Sequence, residues 1–229
     1  MAHVTGKDGS SACYVVDAAA AVNSTCFEHY APRHGATTNL GLVQTVRMPK
    51  PGSVAAVVLA AGGGTRFGMP KVLAAQGDWL RIAVEALSDG GCGDIVVVLG
   101  AAVVDVPEPA RAVVTPDWQD GLAASLRAGI LAVDAGPVDA VMLHLVDTPD
   151  VGADVVRRVL ASAPHSGLVR AVYDGRPGHP VLIARRHWPA LLASLHGDEG
   201  ARTFLRGRDD VEVVECGDLA TGADIDVRR

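Results

Sequence analysis

Aromatic residues make up only 4% of this 229-residue chain, three each of Trp, Tyr and Phe. A core must therefore be assembled from Ala, Val and Leu. Basic excess is also missing. The formal net charge is −6, which excludes nucleic-acid binding through a broad basic surface. Cysteine is scarce, and Cys13, Cys26, Cys92 and Cys216 form neither a C-x-x-C pair nor a zinc spacing. They read as free thiols in a reducing, cytoplasmic setting. No run of about 18 or more apolar residues is present, so no transmembrane helix is expected. The opening "MAHVTGKDGSS" lacks the charged-then-apolar pattern of a secretory signal. What the chain does have is 49% hydrophobic content, enough for one sizeable core and hence one domain with an appendage.

The appendage is residues 1–53. They show no sustained period and carry Lys7, Arg33, Arg47 and Lys50 against Asp8, Asp17 and Glu28, a balance of +1 that leaves −7 for the remainder. They are expected to be a poorly ordered N-terminal extension with a short helix near Val15–Val22, joined through "MPKPGS", or a mis-assigned start preceding Met48. From Val54 the pattern is regular. "VAAVVLA", "DIVVVLG", "RAVVTP" and "VDAVMLHLVDTPDV" read as strands, the last running into a loop. Residues 79–87, 120–133 and 152–162 have helical spacing. "GLVRAVYDGRPGHPVLIAR" reads as two strands around a glycine and proline turn, followed by helices near 187–195 and 199–206 and by terminal strands "VEVVEC" and "ADIDV". Alternating strands and helices predict an α/β fold with a mostly parallel sheet covered on both faces. Ligands then gather at the carboxyl ends of the strands.

One such end is "LAAGGGTRFGMPK", residues 59–71. The dinucleotide fingerprint G-x-G-x-x-G fails because Phe67 stands at its sixth position from Gly62, which argues against a plain NAD(P)-binding oxidoreductase. The G-x-x-x-x-G-K-[ST] loop fails too, because Met69, Pro70 and Lys71 follow Gly68. What remains is a long open turn with two cations. Its glycines free backbone N–H groups to converge on a polyphosphate. Arg66 offers a fork of donors and Lys71 a point charge.

This string resembles the LAAGxxxRxGxPK signature of the sugar-phosphate and cofactor nucleotidyltransferases. The nearer resemblance is to the molybdenum cofactor nucleotidyltransferases (MobA/MocA-like NTP transferases). "TPDWQDGLAASLRAGI" is similar to their NPxWxxGxxxSLxxGL segment, "LHLVDTPDV" to the strand ending in GDMPxV, and "GRPGHPVLI" to GxxGxPVLF. "GDEGAR" is similar to GDxGAR and "DIDV" to DIDTPED. Six segments in order cover Val54–Val227. The resemblance implies a three-layer, Rossmann-like nucleotidyltransferase fold over residues 54–229, with a mostly parallel mixed sheet.

It also implies nucleotidyl transfer, in which an acceptor phosphate attacks the α-phosphorus of a nucleoside triphosphate and pyrophosphate leaves. Positioning and charge neutralisation dominate such chemistry. Mg²⁺ is the expected clamp. Arg66, Lys71 and Asp147 are the implied catalytic residues, with Leu59, Ala60, Ala61, Gly62, Gly63, Gly64 and Ser125 on the nucleotide. Asp147 and Asp226 are the implied metal ligands, the second on the same face as Asp224 if that segment is extended. His179 and Arg202 are implied to contact the acceptor, a phosphorylated pterin cofactor. Plain structural roles remain open for several of these: packing for Ser125, a turn for His179, a solvated helix for Arg202 and a frayed end for Asp226. His144, inside an apolar strand, reads as a packed core histidine.

Three departures stand out. Thr115 replaces the family's Asn, Val146 replaces its Gly, and the TPED continuation is missing after Asp226. Ala60-Ala61-Gly62 and Pro70-Lys71-Val72-Leu73 resemble the cytidylyl rather than the guanylyl branch. The expectation is therefore CMP transfer from CTP to the molybdenum cofactor. The alternatives are GTP or another phosphorylated acceptor, and a non-catalytic carrier delivering cofactor to a molybdoenzyme.

Overall fold

The computed structural model describes residues 54–162 and 165–226. The extension, its helix near 15–22, the thiols Cys13 and Cys26, and Val227 lie outside the described residues. The valine-rich runs form buried strands, as β-branched side chains favour: β1 (Val54–Leu59), β2 (Ile95–Leu99) and β4 (Ala140–Leu145), with the exposed β3 (Arg111–Val114) at the edge. Then follow β5 (Leu168–Tyr173), β6 (Arg176–Ala184) and β7 (Glu212–Glu215). The helices are α1 (Asp78–Gly90), α2 (Leu122–Asp134), α3 (Ala153–Ala161), α4 (Trp188–Ser194) and α5 (Ala201–Leu205).

The strands make one seven-stranded sheet in the order β3-β2-β1-β4-β6-β5-β7. Pairings β1–β2, β2–β3, β1–β4 and β5–β7 are parallel, whereas β6 runs antiparallel to both β4 and β5. Alternate residues of each strand feed two separate cores, as a period of two requires. Ala56, Val58 and Met142 face Leu80, Val84, Leu87 and Val155 of α1 and α3. Ala55, Val57 and Leu143 face Leu126, Ile130, Leu191 and Phe204 of α2, α4 and α5. The result is three layers, helix on sheet on helix.

Two readings need correction. The β5–β6 reversal occupies only Asp174 and Gly175, both with positive φ (50° and 73°), the Asp-Gly pattern of a tight hairpin turn. The prolines of "GRPGHP" lie inside β6. The segment 223–226 is not a strand. Its Ile225 N–H donates to the Asp147 carbonyl (3.0 Å), in the loop after β4. It therefore crosses the end of a strand instead of lying beside one.

The topology fixes the site. From β1 the chain builds outward to β2 and β3, then returns to the other side of β1 as β4. This reversal is a switch point, where adjacent loops part and leave a crevice. Leu59 and Leu145, the last residues of β1 and β4, are in register, so the loops that follow them start side by side.

Candidate active site

The glycine loop occupies one wall of this crevice. Gly68 N–H donates to the Gly64 carbonyl (2.8 Å), closing a turn over residues 65–68. Gly64 has φ +60°, and a Cβ there would sit 1.9 Å from the Met69 carbonyl oxygen, so the loop can double back only without a side chain. At Gly62 an added Cβ would meet nothing within 4 Å, so the backbone there is open to an incoming group. The Trp118 ring borders the loop, 3.4 Å from where a Cβ on Gly63 would lie.

A cleft of about 570 Å³ results, and every residue expected on the nucleotide lines it: Leu59, Ala60, Ala61, Gly62, Gly63, Gly64, Arg66, Lys71 and Ser125. Asp147 and Asp226 line the same cleft. Residues 71, 147 and 226 converge on one point. Lys71 Nζ donates to Asp147 Oδ2 (2.6 Å) and to Asp226 Oδ1 (2.8 Å). Burial alone would lower the Lys71 pKa, but its hydrogen bonds to Asp147 and Asp226 outweigh that and raise it. The same hydrogen bond, then the Lys71 charge, holds the Asp226 carboxyl below its usual range. Partial desolvation, then the charges of Asp147 and Asp226, raises Asp224. Ser125 is only 4% exposed, so it forms part of the wall near the start of α2.

The donor set suits a hard divalent ion. Asp147 Oδ1 is buried and has no partner among the described residues, an acceptor left over while Oδ2 engages Lys71. Among the described residues no group of three or more His, Cys, Asp or Glu is gathered for a metal. An ion here would therefore have the two carboxylates, with phosphate oxygens and water completing its shell, which is how Mg²⁺ is commonly held.

His179 and Arg202 lie elsewhere. They line a second cleft of about 570 Å³ that shares Leu59, Leu122, Leu145 and Asp198 with the first. Arg170, Arg206 and Asp224 also line it. Burial, followed by the charge of Arg202, lowers the pKa of Arg170. Burial of the His179 ring, with His144 and Arg170 adding, pushes its pKa down to about 3. Neutral His179 and three guanidinium groups thus face one space. Sequence reasoning passed over Arg170, although it is the one charged residue in the apolar run "LVRAVY". It also passed over Arg206, four residues beyond Arg202, and gave Trp118 no role although it lies inside a quoted segment.

A family model for the MobA-like NTP transferase domain matches residues 56–213. The chain belongs to the MobA-like NTP transferase family. It is accordingly an enzyme of the nucleotidyltransferase class. Nicotine blue oxidoreductase of Paenarthrobacter nicotinovorans is 36% identical over 189 residues, covering 76% of this chain and 92% of that protein. Molybdenum cofactor guanylyltransferase of Rhizobium johnstonii is 34% identical over 174 residues, covering 70% and 78%. Among solved structures, Rv0371c from Mycobacterium tuberculosis H37Rv superposes with a TM-score of 0.63 at 27% identity, covering 78% of this chain and 95% of that one. The same protein has been solved in complex with manganese, at TM-score 0.58 and 25% identity, covering 75% and 93%. No helix among the described residues is long and apolar enough to cross a membrane.

Proposed function

We propose that this enzyme transfers CMP from CTP to the phosphate of the molybdopterin–molybdenum cofactor and releases pyrophosphate. The observation that carries the reading is the meeting of Lys71, Asp147 and Asp226 in the cleft formed by the glycine loop. The loop's backbone amides and Arg66 would receive the triphosphate, and Lys71 would move from its two carboxylates toward the phosphate undergoing substitution. Asp147 and Asp226 would hold Mg²⁺, which supplies charge neutralisation between attacking and leaving phosphate oxygens. The manganese complex of a relative supports a divalent ion in this role.

The acceptor belongs in the second cleft, where Arg170, Arg202 and Arg206 suit a phosphate and neutral His179 can exchange hydrogen bonds with an uncharged heterocycle. Because the two clefts share the Leu59 and Leu145 ends of β1 and β4, an acceptor phosphate would enter beside the triphosphate. The deciding experiment measures pyrophosphate release from each of the four NTPs, with and without molybdopterin cofactor. CTP turnover that requires the cofactor is expected, falling at least about 10²-fold in Lys71→Ala and Asp147→Ala with unchanged circular dichroism. Full turnover in both variants refutes the assignment, GTP preference moves it to the guanylyl reaction of the Rhizobium relative, and tight cofactor binding without pyrophosphate marks a carrier.

The 36% identity to nicotine blue oxidoreductase favours a second reading. Here the cleft would serve a redox reaction, although its glycine loop lacks the dinucleotide fingerprint. Reduction of nicotine blue by an added hydride donor, combined with no pyrophosphate from any NTP, decides for it.

A further inference from the structure

Asp226 reaches Lys71 from a segment with no regular secondary structure. After β7 the chain runs through residues 216–226 without a helix or strand, so discrete hydrogen bonds and the packing of Cys216 and Ala220 against the core, not a ladder, locate its last carboxylate. At its start, Cys216 N–H donates to the Val172 carbonyl (2.8 Å), and Leu219 and Ala220 N–H turn back to the Cys216 carbonyl. At its far end, Ile225 N–H reaches the Asp147 carbonyl (3.0 Å). Arg158 also grips Asp218 near the start, its Nη2 donating to Asp218 Oδ2 (2.8 Å), and beyond that point the segment is anchored by Asp150. Its Oδ2 accepts hydrogen bonds from Thr221 N–H (2.7 Å), Thr221 Oγ1–H (2.6 Å) and Gly222 N–H (3.2 Å). Ala223 N–H then donates to Thr221 Oγ1 (3.4 Å).

The path at this anchor is narrow. Gly222 has φ +58°, and a Cβ there would sit 2.1 Å from the Tyr173 ring. The backbone lies so close to the ring that the route is fixed once Asp150 grips it. Asp150 is also three residues from Asp147, on one short loop closed by Val151 N–H to the Thr148 carbonyl (3.1 Å) and by Thr148 Oγ1–H to the Leu145 carbonyl (3.3 Å). The loop that bears the first carboxylate of the site thus also holds the segment that bears the second. A charged acceptor taking three donors, two of them main-chain amides, is a stronger tether than a neutral one.

We infer that Asp150 is a positioning residue. It touches neither cleft's chemistry directly, and it sets the distance between Asp147 and Asp226 by clamping Thr221 and Gly222 to the loop after β4. Its effect on turnover rests on the nucleotidyl-transfer reading, whereas its effect on the geometry of the carboxylate pair does not.

The test compares Asp150→Ala with Asp150→Asn, whose amide oxygen still accepts from Thr221. The readouts are Mn²⁺ binding followed by electron paramagnetic resonance, hydrogen exchange of Thr221, Gly222 and Ile225, and pyrophosphate release as a function of Mn²⁺. In Asp150→Ala the Mn²⁺ dissociation constant is expected to rise about tenfold. Exchange across 221–226 is expected to accelerate at least tenfold while β1 and β4 stay protected, and turnover at limiting Mn²⁺ to fall while saturating Mn²⁺ restores it. Asp150→Asn is expected to recover most of each effect. Unchanged Mn²⁺ affinity in Asp150→Ala overturns the inference, whether exchange accelerates or not. If the wild-type chain releases no pyrophosphate from any NTP, the function reading fails alone, and Mn²⁺ binding and exchange still decide the role of Asp150.

Discussion

His144 carries a titratable ring into the core. It is 0% exposed on β4, and neither ring nitrogen has a partner among the described residues. Burial pushes its pKa down to about 4, with the Asp150 charge acting weakly in the opposite direction. An unfolded histidine titrates near about 6.5. As pH falls below that value the unfolded chain takes up a proton that the folded chain refuses. Stability is therefore lost between about pH 6.5 and 4, by about 1.4 kcal/mol per pH unit for this one group. His144→Leu keeps the volume and removes the unsatisfied nitrogens. At pH 7 it is expected to match or exceed the wild type by about 1 kcal/mol, and its loss of stability on acidification should be shallower by about one proton. Urea midpoints at pH 7, 6 and 5 check both, and a variant that is weaker at pH 7 with an unchanged acid slope contradicts the argument. That a histidine in the apolar run of β4 packs in the core was legible from its neighbours. That it packs without a partner was not, because partners come from other strands.

Between elements, the contact of α2 with the sheet depends on an absent side chain. A Cβ on Gly129 would lie 2.5 Å from Val57 Cγ1 and 3.1 Å from Val98 Cγ2. Helix propensity alone favours alanine there by about 1 kcal/mol. Valine, however, is stiff at χ1 and cannot swing aside, so Gly129→Ala is expected to destabilise by roughly 1–3 kcal/mol, read as a lower urea midpoint with unchanged slope. A midpoint that rises would show that α2 can lift off β1 at little cost. The same contrast between local signal and tertiary contact governs what the sequence disclosed. Leu122, Leu126, Ile130 and Val133 repeat at helical spacing, and the valine runs of β1 and β2 are continuous, so those elements and their burial could be read directly. The antiparallel insertion of β6 between β4 and β5 has no local signature, since period two is the same in either direction. Residues 223–226 alternate as a strand would, yet the segment crosses the loop after β4, where Ile225 N–H finds the Asp147 carbonyl in place of a neighbouring ladder.

At the scale of the whole molecule, a chain with net charge −6 gathers Arg66 and Lys71 with Asp147 and Asp226 at the β1/β4 switch point of its sheet. Residues so far apart in the chain could be linked before the structure only through resemblance to a family pattern, whereas Arg170, which lies in none of the segments that carry the resemblance, went unnoticed. The arrangement makes a prediction about linkage. A divalent ion alone must compete with Lys71 for both carboxylates, and a triphosphate alone must draw Lys71 away from them, so each ligand by itself breaks favourable pairs. Together they satisfy all three groups, because the ion takes the carboxylates and the phosphates take the ammonium. Manganese plus the preferred NTP, each near 100 times its dissociation constant, should stabilise by about 2.7 kcal/mol or more. That is a melting shift on the order of 5–10 °C for a domain of this size, larger than the sum of the separate shifts. We further propose that a chain beginning at Ser53 shows the same cooperative shift, because the described residues that line both clefts all lie beyond that point. Differential scanning fluorimetry on both chains measures it. Strictly additive shifts would mean that Lys71 does not exchange partners, and a shift lost on removing residues 1–52 would mean that the site extends into that segment.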